Sequence, residues 1–279
     1  LLLAGCPLYP FMGLQAMSDV PALVWTTAAV LCALRARQTP LWALAAGFAF
    51  GFAVLIRPTN LLALVPLGLA LGSAWRSWWR FGLGGVPAAA FFVCYNLAAY
   101  GSALTTGYGD TTAAFSLHLL GTTLAHYAQW LPVLLTPLVA LAFVFPWMRA
   151  AAAPGTRALL TAWFAVFLGF YSVYYFTHET WWYLRFLLPA FPALIVAALL
   201  VLQAYARRQL TRIPPALLWS VGALCILGHG LAWMHTLRAL NSGRDETSYV
   251  EVSAWAEAHL PARAVIACMQ NSGAFFYYT

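Results

Sequence analysis

The sequence predicts an all-α polytopic membrane protein, with about eight complete transmembrane helices and a partial one, followed by the start of an extracytoplasmic α/β domain. Three observations carry this prediction. Of the 279 residues, 63% are hydrophobic and only 8% are charged, with a mean hydropathy of +0.78. So little polar surface cannot wet a soluble domain, so the bilayer must be the solvent for most of the chain. The apolar residues fall into runs close to the ~20 residues that a bilayer-crossing helix needs, and the charges stand between those runs.

The chain opens LLLAGCPLYP, with no initiator Met and no basic stretch ahead of the apolar residues. That is not a signal peptide; it reads as the tail of a helix, over 1–12, whose beginning lies upstream. Complete spans are expected over about 20–36, 40–56, 61–75, 81–100, 129–148, 158–176, 185–205 and 216–235. The short 61–75 run, bounded by Arg57-Pro58 and Trp75-Arg76, predicts a tight helical hairpin with 40–56. Residues 1–235 form the membrane domain. Residues 236–279 begin a soluble one, with a helix over Glu246 to Leu260, stopped by Pro261, and a buried strand over 264–268. One strand cannot satisfy its own backbone, so this domain is expected to continue beyond Thr279.

Charge orients the spans. Every basic residue apart from histidine is arginine. Eight crossings divide the loops into two alternating sets. One holds Arg35, Arg37, Arg76, Arg80, Arg149, Arg157, Arg207, Arg208 and Arg212 and no acid. The other holds Arg57, Arg185, Arg238, Arg244 and Arg263 with all seven acids. The positive-inside bias assigns the first set to the cytoplasm and every acid to the outer face. A net charge of +7 does not imply nucleic acid, because the arginines are dispersed as membrane-flanking charges rather than massed in a patch. The five cysteines show no C-x-x-C spacing, and three lie inside apolar runs, so they indicate neither a disulfide framework nor a metal site.

Several motifs have bland readings. TTGYGD (105–110) nearly matches a potassium-channel filter, but the preceding residues end a full span and leave no room for a pore helix. It reads as a Gly-rich turn in which Asp110 caps a helix. Gly47-x-x-x-Gly51 permits close helix approach, here as internal packing. His118 and His126 read as surface histidines of an amphipathic segment, and His229 as a hydrogen-bonded packing residue.

Three charges stand apart. Asp19 sits where an apolar run begins; locally, an N-cap followed by Pro21 explains it. Arg57 in LIRPTN and Arg185 in WWYLRFLLPAFPAL lie at outer helix ends, where positive charge is disfavoured. Snorkelling to headgroups is one explanation. A cationic clamp for a phosphate at the outer surface is the other, since guanidinium geometry suits phosphate. His178 and Glu179 are placed to pair with Arg185 or to share its site.

Taken in order, MSDVPALVWTTAAVLCALRAR, GFAFGFAVLIRPTNLLALVPL, AYGSALTTGYGD, YLRFLLPAFPALIVAAL and YVEVSAWAEAHLPARAVIACMQNSGAFFYYT resemble the GT-C glycosyltransferases of the protein-mannosyltransferase type. These polytopic enzymes transfer a sugar from a polyprenyl-phosphate donor to an acceptor hydroxyl at the outer membrane face. The resemblance implies an inverting transferase of a bacterial cytoplasmic membrane, with membrane lipids and a glycan, lipid or protein acceptor as partners. It implies that Asp19 is the acid facing the catalytic cavity, as general base or as one ligand of a divalent ion. It also implies that Arg185, the basic residue before the L-P-x-x-P helix, lies near the lipid phosphate. Arg57 resembles the arginine of a recurrent R-P turn, and Arg57, His178 and Glu179 are expected, from their place at the outer face, to share the donor-binding site. GYGD then resembles a family loop. The family's acidic motif in the first outer loop is absent and is expected upstream of Leu1. The rival class is a transporter or flippase of lipid-linked sugars. It calls for ionisable groups near the bilayer midplane, and the predicted spans hold no acid or arginine in their interiors.

Overall fold

A computed structural model of the protein describes residues 1–15, 17–103, 112–209, 214–241, 247–261 and 263–266. Among these the fold is helical. The elements are α1 (Leu8–Leu14), α2 (Asp19–Arg35), α3 (Trp42–Ile56), α4 (Leu64–Leu71), α5 (Trp75–Tyr100), α6 (Leu120–Leu135), α7 (Ala140–Val144), α8 (Pro154–Tyr171), α9 (Phe191–Gln209), α10 (Pro215–Thr236) and α11 (Thr247–His259). Tight 3-10 segments link several of them; Pro58–Ala63 leads into α4 and Trp181–Ala190 runs directly into α9. No strand occurs among the described residues, only an isolated antiparallel bridge between Phe115 and Tyr174.

Among the described residues, three helices are long and apolar enough to cross a membrane: Trp75–Tyr100, the 29-residue Trp181–Gln209 and Ala216–Thr236. α1 with α2, bent by 116° at their junction, makes a fourth if counted as one broken span. This is an all-α membrane protein; among the described residues these helices account for three or four of the eight crossings expected. Other expected crossings fall on shorter apolar helices, Trp42–Ile56, Pro58–Leu71 and Pro137–Trp147, or on runs that the backbone breaks. The 129–148 run is interrupted at Thr136 (φ 69°), between α6 and the Pro137–Val139 turn. The 61–75 run starts as a 3-10 segment and stops at Gly72, whose φ of 70° suits a residue without Cβ.

Packing follows the small residues. α3 lies between α5 and α2, and α4 rests on α2 and α8. The expected hairpin therefore turns at Arg57, but its second arm finds its main partners elsewhere. α3 and α5 cross in near-backbone contact. A Cβ on Gly47 would stand 1.8 Å from the Phe81 carbonyl oxygen, and one on Gly84 would stand 2.0 Å from that of Leu44. Gly47 and Gly51 thus serve internal packing. His229 holds the Val133 carbonyl through Nε2 at 2.9 Å, as a packing residue should. The four described cysteines are free.

The bundle has two chemically distinct ends. At one, Arg37, just past α2, donates to the Leu69 and Ala70 carbonyls and closes the end of α4. α2 and α4 therefore run parallel. At the other end Asp19, Arg57, Thr59 and Tyr171 meet. Seventeen residues of α2, at 1.5 Å each, hold the two ends about 25 Å apart. The C-terminal helix expected over 246–260 is present as α11. Residues 264–266 of the expected strand are irregular, and 267–268 lie outside the described residues, as do TTGYGD and Asp110.

Candidate functional site

Asp19 begins α2 but does not cap it. Ser18 occupies the N-cap position, and no side-chain capping bond forms there. The Asp19 carboxylate, 2% exposed, instead accepts a hydrogen bond from Arg57 Nη1. The reason lies in the connection after α3. Arg57 is extended (φ −144°, ψ 111°), as a residue before proline tends to be. The chain thus leaves α3 sharply and the guanidinium is delivered to the start of α2. Thr59, two residues on, accepts the Tyr171 hydroxyl at 2.7 Å and ties this turn to the end of α8.

Arg185 enters from a third element, the ten-residue 3-10 segment Trp181–Ala190. Such segments seldom exceed one turn. This one is anchored by Trp163, whose indole donates to the Pro189 carbonyl at 2.9 Å. Its product is a shared aromatic floor. The Phe186 ring lies 5.0 Å from the Arg57 guanidinium and 5.3 Å from that of Arg185, and Tyr183 lies 5.4 Å from Arg185. Tyr171 stacks on Phe186 at 5.3 Å with 17° between the planes. Arg57, which holds Asp19, thus shares the Phe186 ring with Arg185. Arg185 itself contacts Met17 Sδ at 3.7 Å.

The structure therefore brings together Asp19, Arg57 and Arg185, the three charges that stand apart in the sequence. Charge is unevenly shared among them. Arg57–Asp19 is the single ion pair among the described residues, so Arg185 has no carboxylate at ion-pair distance. His178 and Glu179 do not supply one, contrary to the pairing that their nearness in sequence suggests. A 3-10 turn, Tyr175–His178, carries His178 to the Tyr175 ring at 5.6 Å, and Glu179 is exposed. Sequence pattern does not single out Phe186, Tyr171 or Thr59; the aromatic density of FYSVYYFTHETWWYLRF is the one signal that points toward them.

Two further features bear on chemistry. An apolar groove of about 1520 Å³ runs beside α2, α9 and α10, with Leu23, Thr27 and Leu31 along one wall and Ile195 and Leu199 along another. Asp19, Leu23, Thr27 and Leu31 lie on one i, i+4 ridge of α2, so the ridge that Asp19 heads continues as groove wall. A divalent ion fits this set poorly. No group of three or more His, Cys, Asp or Glu side chains converges among the described residues, and Arg57 already neutralises the one acid while Arg185 repels a second cation. The chain matches no family model, no curated protein and no solved structure.

Proposed function

We propose that the protein is a membrane glycosyltransferase that moves a sugar from a polyprenyl-phosphate donor to an acceptor hydroxyl at the extracytoplasmic face. The observation that carries this reading is the convergence of two guanidinium groups on Phe186, with a single carboxylate, Asp19, held by one of them. One acid against two permanent cations leaves an excess positive charge, beside a groove that accepts hydrocarbon. That combination suits a ligand with an anionic head and a long apolar tail. The resemblance to the protein-mannosyltransferase type adds the sugar and the direction of transfer.

In this reading the donor phosphate lies against Arg185 and Arg57, and the prenyl chain follows the ridge below Asp19. The acceptor oxygen forms a bond to the anomeric carbon as the bond from that carbon to the phosphate oxygen breaks. The departing lipid phosphate gains charge that the arginines stabilise. Asp19 takes the hydroxyl proton; removing such a base costs ~10²–10⁴ in rate. His178 and Glu179 contribute to the rim. The outer placement of this end, eight crossings in all, a bacterial cytoplasmic membrane and an extracytoplasmic C-terminal domain belong to the same proposal.

The test is sugar transfer from a polyprenyl-phosphate donor in membranes carrying the full-length protein with Arg185→Ala or Arg185→Lys. Alanine should reduce donor use tenfold or more while the protein stays inserted and folded. Lysine should restore only part, because it keeps the charge and loses the two-pronged donor geometry. Equal activity of all three forms would leave Arg185 as a snorkelling residue and remove the phosphate site.

A further inference from the structure

The pair Asp19–Arg57 raises a problem for the site just proposed, and its solution is itself informative. Of the two members, the carboxylate is the hidden one: its side chain is 2% exposed against 15% for Arg57. A ligand arriving from outside therefore meets guanidinium first. Arg185, with no carboxylate at ion-pair distance among the described residues, is the ready half of the clamp; Arg57 is already occupied. A phosphate bridging the two arginines over Phe186 would crowd its charge against that of Asp19, because both would lean on one guanidinium in a partly buried place.

We infer that Asp19 is an internal competitor for Arg57: an incoming phosphate takes the guanidinium over, and the carboxylate is released from it only when the anion is seated. The inference rests on the phosphate reading of Arg185 and deepens it. Before binding, Asp19 neutralises Arg57 and keeps a lone cation from being stranded among Phe186 and its neighbours. After binding, the phosphate does that work, and the carboxylate has a free oxygen to turn toward the acceptor hydroxyl. No covalent step is involved; one ionic contact is exchanged for another. The same exchange keeps the base masked while no donor is present.

Two measurements on the protein purified in detergent test this, with farnesyl phosphate as the anionic probe. The first is equilibrium binding by calorimetry. Asp19→Asn keeps an acceptor oxygen for Arg57 but removes the competing charge, so it should bind the probe three- to tenfold more tightly than wild type. Unchanged or weaker binding by a folded Asp19→Asn would overturn the inference. The second uses unmodified protein: an isoxazolium reagent selective for carboxylates should modify Asp19 several-fold more once farnesyl phosphate is saturating, as read by peptide mass spectrometry. No increase would also overturn it, whatever the variant does. Arg185→Ala separates the two layers. If wild type and Arg185→Ala bind the probe equally, or neither binds, the phosphate site itself is wrong. If Arg185→Ala binds tenfold less and Asp19 stays protected, only the exchange is wrong.

Discussion

At the scale of residues, Arg57 does more than any other side chain in the site: it neutralises a buried acid and faces Phe186 while its backbone turns the chain out of α3. Burying an ion pair gains little in net stability, but breaking one by removing a partner leaves an uncompensated charge and costs ~3–5 kcal/mol. Arg57→Gln should accordingly lower the thermal midpoint in detergent sharply. Asp19→Asn keeps a hydrogen-bond acceptor and strands only the more exposed member of the pair, Arg57 at 15% against 2% for Asp19, so it should lower it less. Equal losses would show that losing the charge on either side costs the same, whether or not the hydrogen bond is kept. Tyr171→Phe removes only the bond to Thr59 and keeps the stack on Phe186, so a loss of ~0.5–1.5 kcal/mol is expected. Tyr171→Ala also removes the ring that supports Phe186 and should weaken farnesyl phosphate binding, which Tyr171→Phe should not. Phe186→Leu tests the floor directly: it keeps apolar bulk but loses the π face worth ~0.5–2 kcal/mol to a neighbouring cation.

Among elements, the α3–α5 crossing shows what a short motif can and cannot reveal. Gly47-x-x-x-Gly51 announces close approach in the sequence, and the structure supplies that approach. Its partner surface, built on Gly84 and Gly85, is not legible there, because small residues on one helix do not name the helix they meet. The long 3-10 segment that carries Arg185 is equally hidden; its anchor is an indole donated from α8, and no local propensity encodes such a contact. The crossing yields a paired prediction. Gly84→Ala places a methyl 2.0 Å from the backbone oxygen of Leu44, where no side-chain adjustment can relieve it, and Gly47→Ala does the same to Phe81. Both should destabilise the protein and lower the yield of monodisperse material. Gly82→Ala, on the same helix and with nothing within 4 Å of the added carbon, should be neutral or gain up to ~1 kcal/mol in helix propensity. If Gly82→Ala and Gly84→Ala behaved alike, the two helices would not be in backbone contact.

For the molecule as a whole, charge distribution is the most legible feature of the sequence, and helix continuity the least. In the sequence alone the arginines divide into an acid-free set and an acid-bearing set. The folded chain brings Asp19, Arg57 and Arg185 to one end of the bundle, with Arg37 at the opposite end of α2. Apolar content alone misses the break at Thr136-Pro137 and the 3-10 turn that follows Arg57-Pro58, because a hydropathy count gives no weight to the prolines that interrupt the helix at both places. The orientation of the two ends is a matter for labelling. The positive-inside bias puts the Asp19 end outside and the arginine-rich loops, including the α9 terminus at Arg207 and Arg208, inside. With the native cysteines replaced, a single cysteine at Glu179 should react with a membrane-impermeant maleimide added to intact cells, because Glu179 is exposed and lies on the loop that leads to Arg185. A single cysteine at Gln209, equally exposed at the end of α9, should react only after the cells are opened. The two positions bracket the 29-residue apolar helix Trp181–Gln209, so they must lie on opposite sides if that helix crosses. Labelling of both from outside would show that it does not cross. Labelling of Gln209→Cys alone would invert the protein, placing the Asp19 site at the cytoplasmic face and ending the case for an extracytoplasmic transferase.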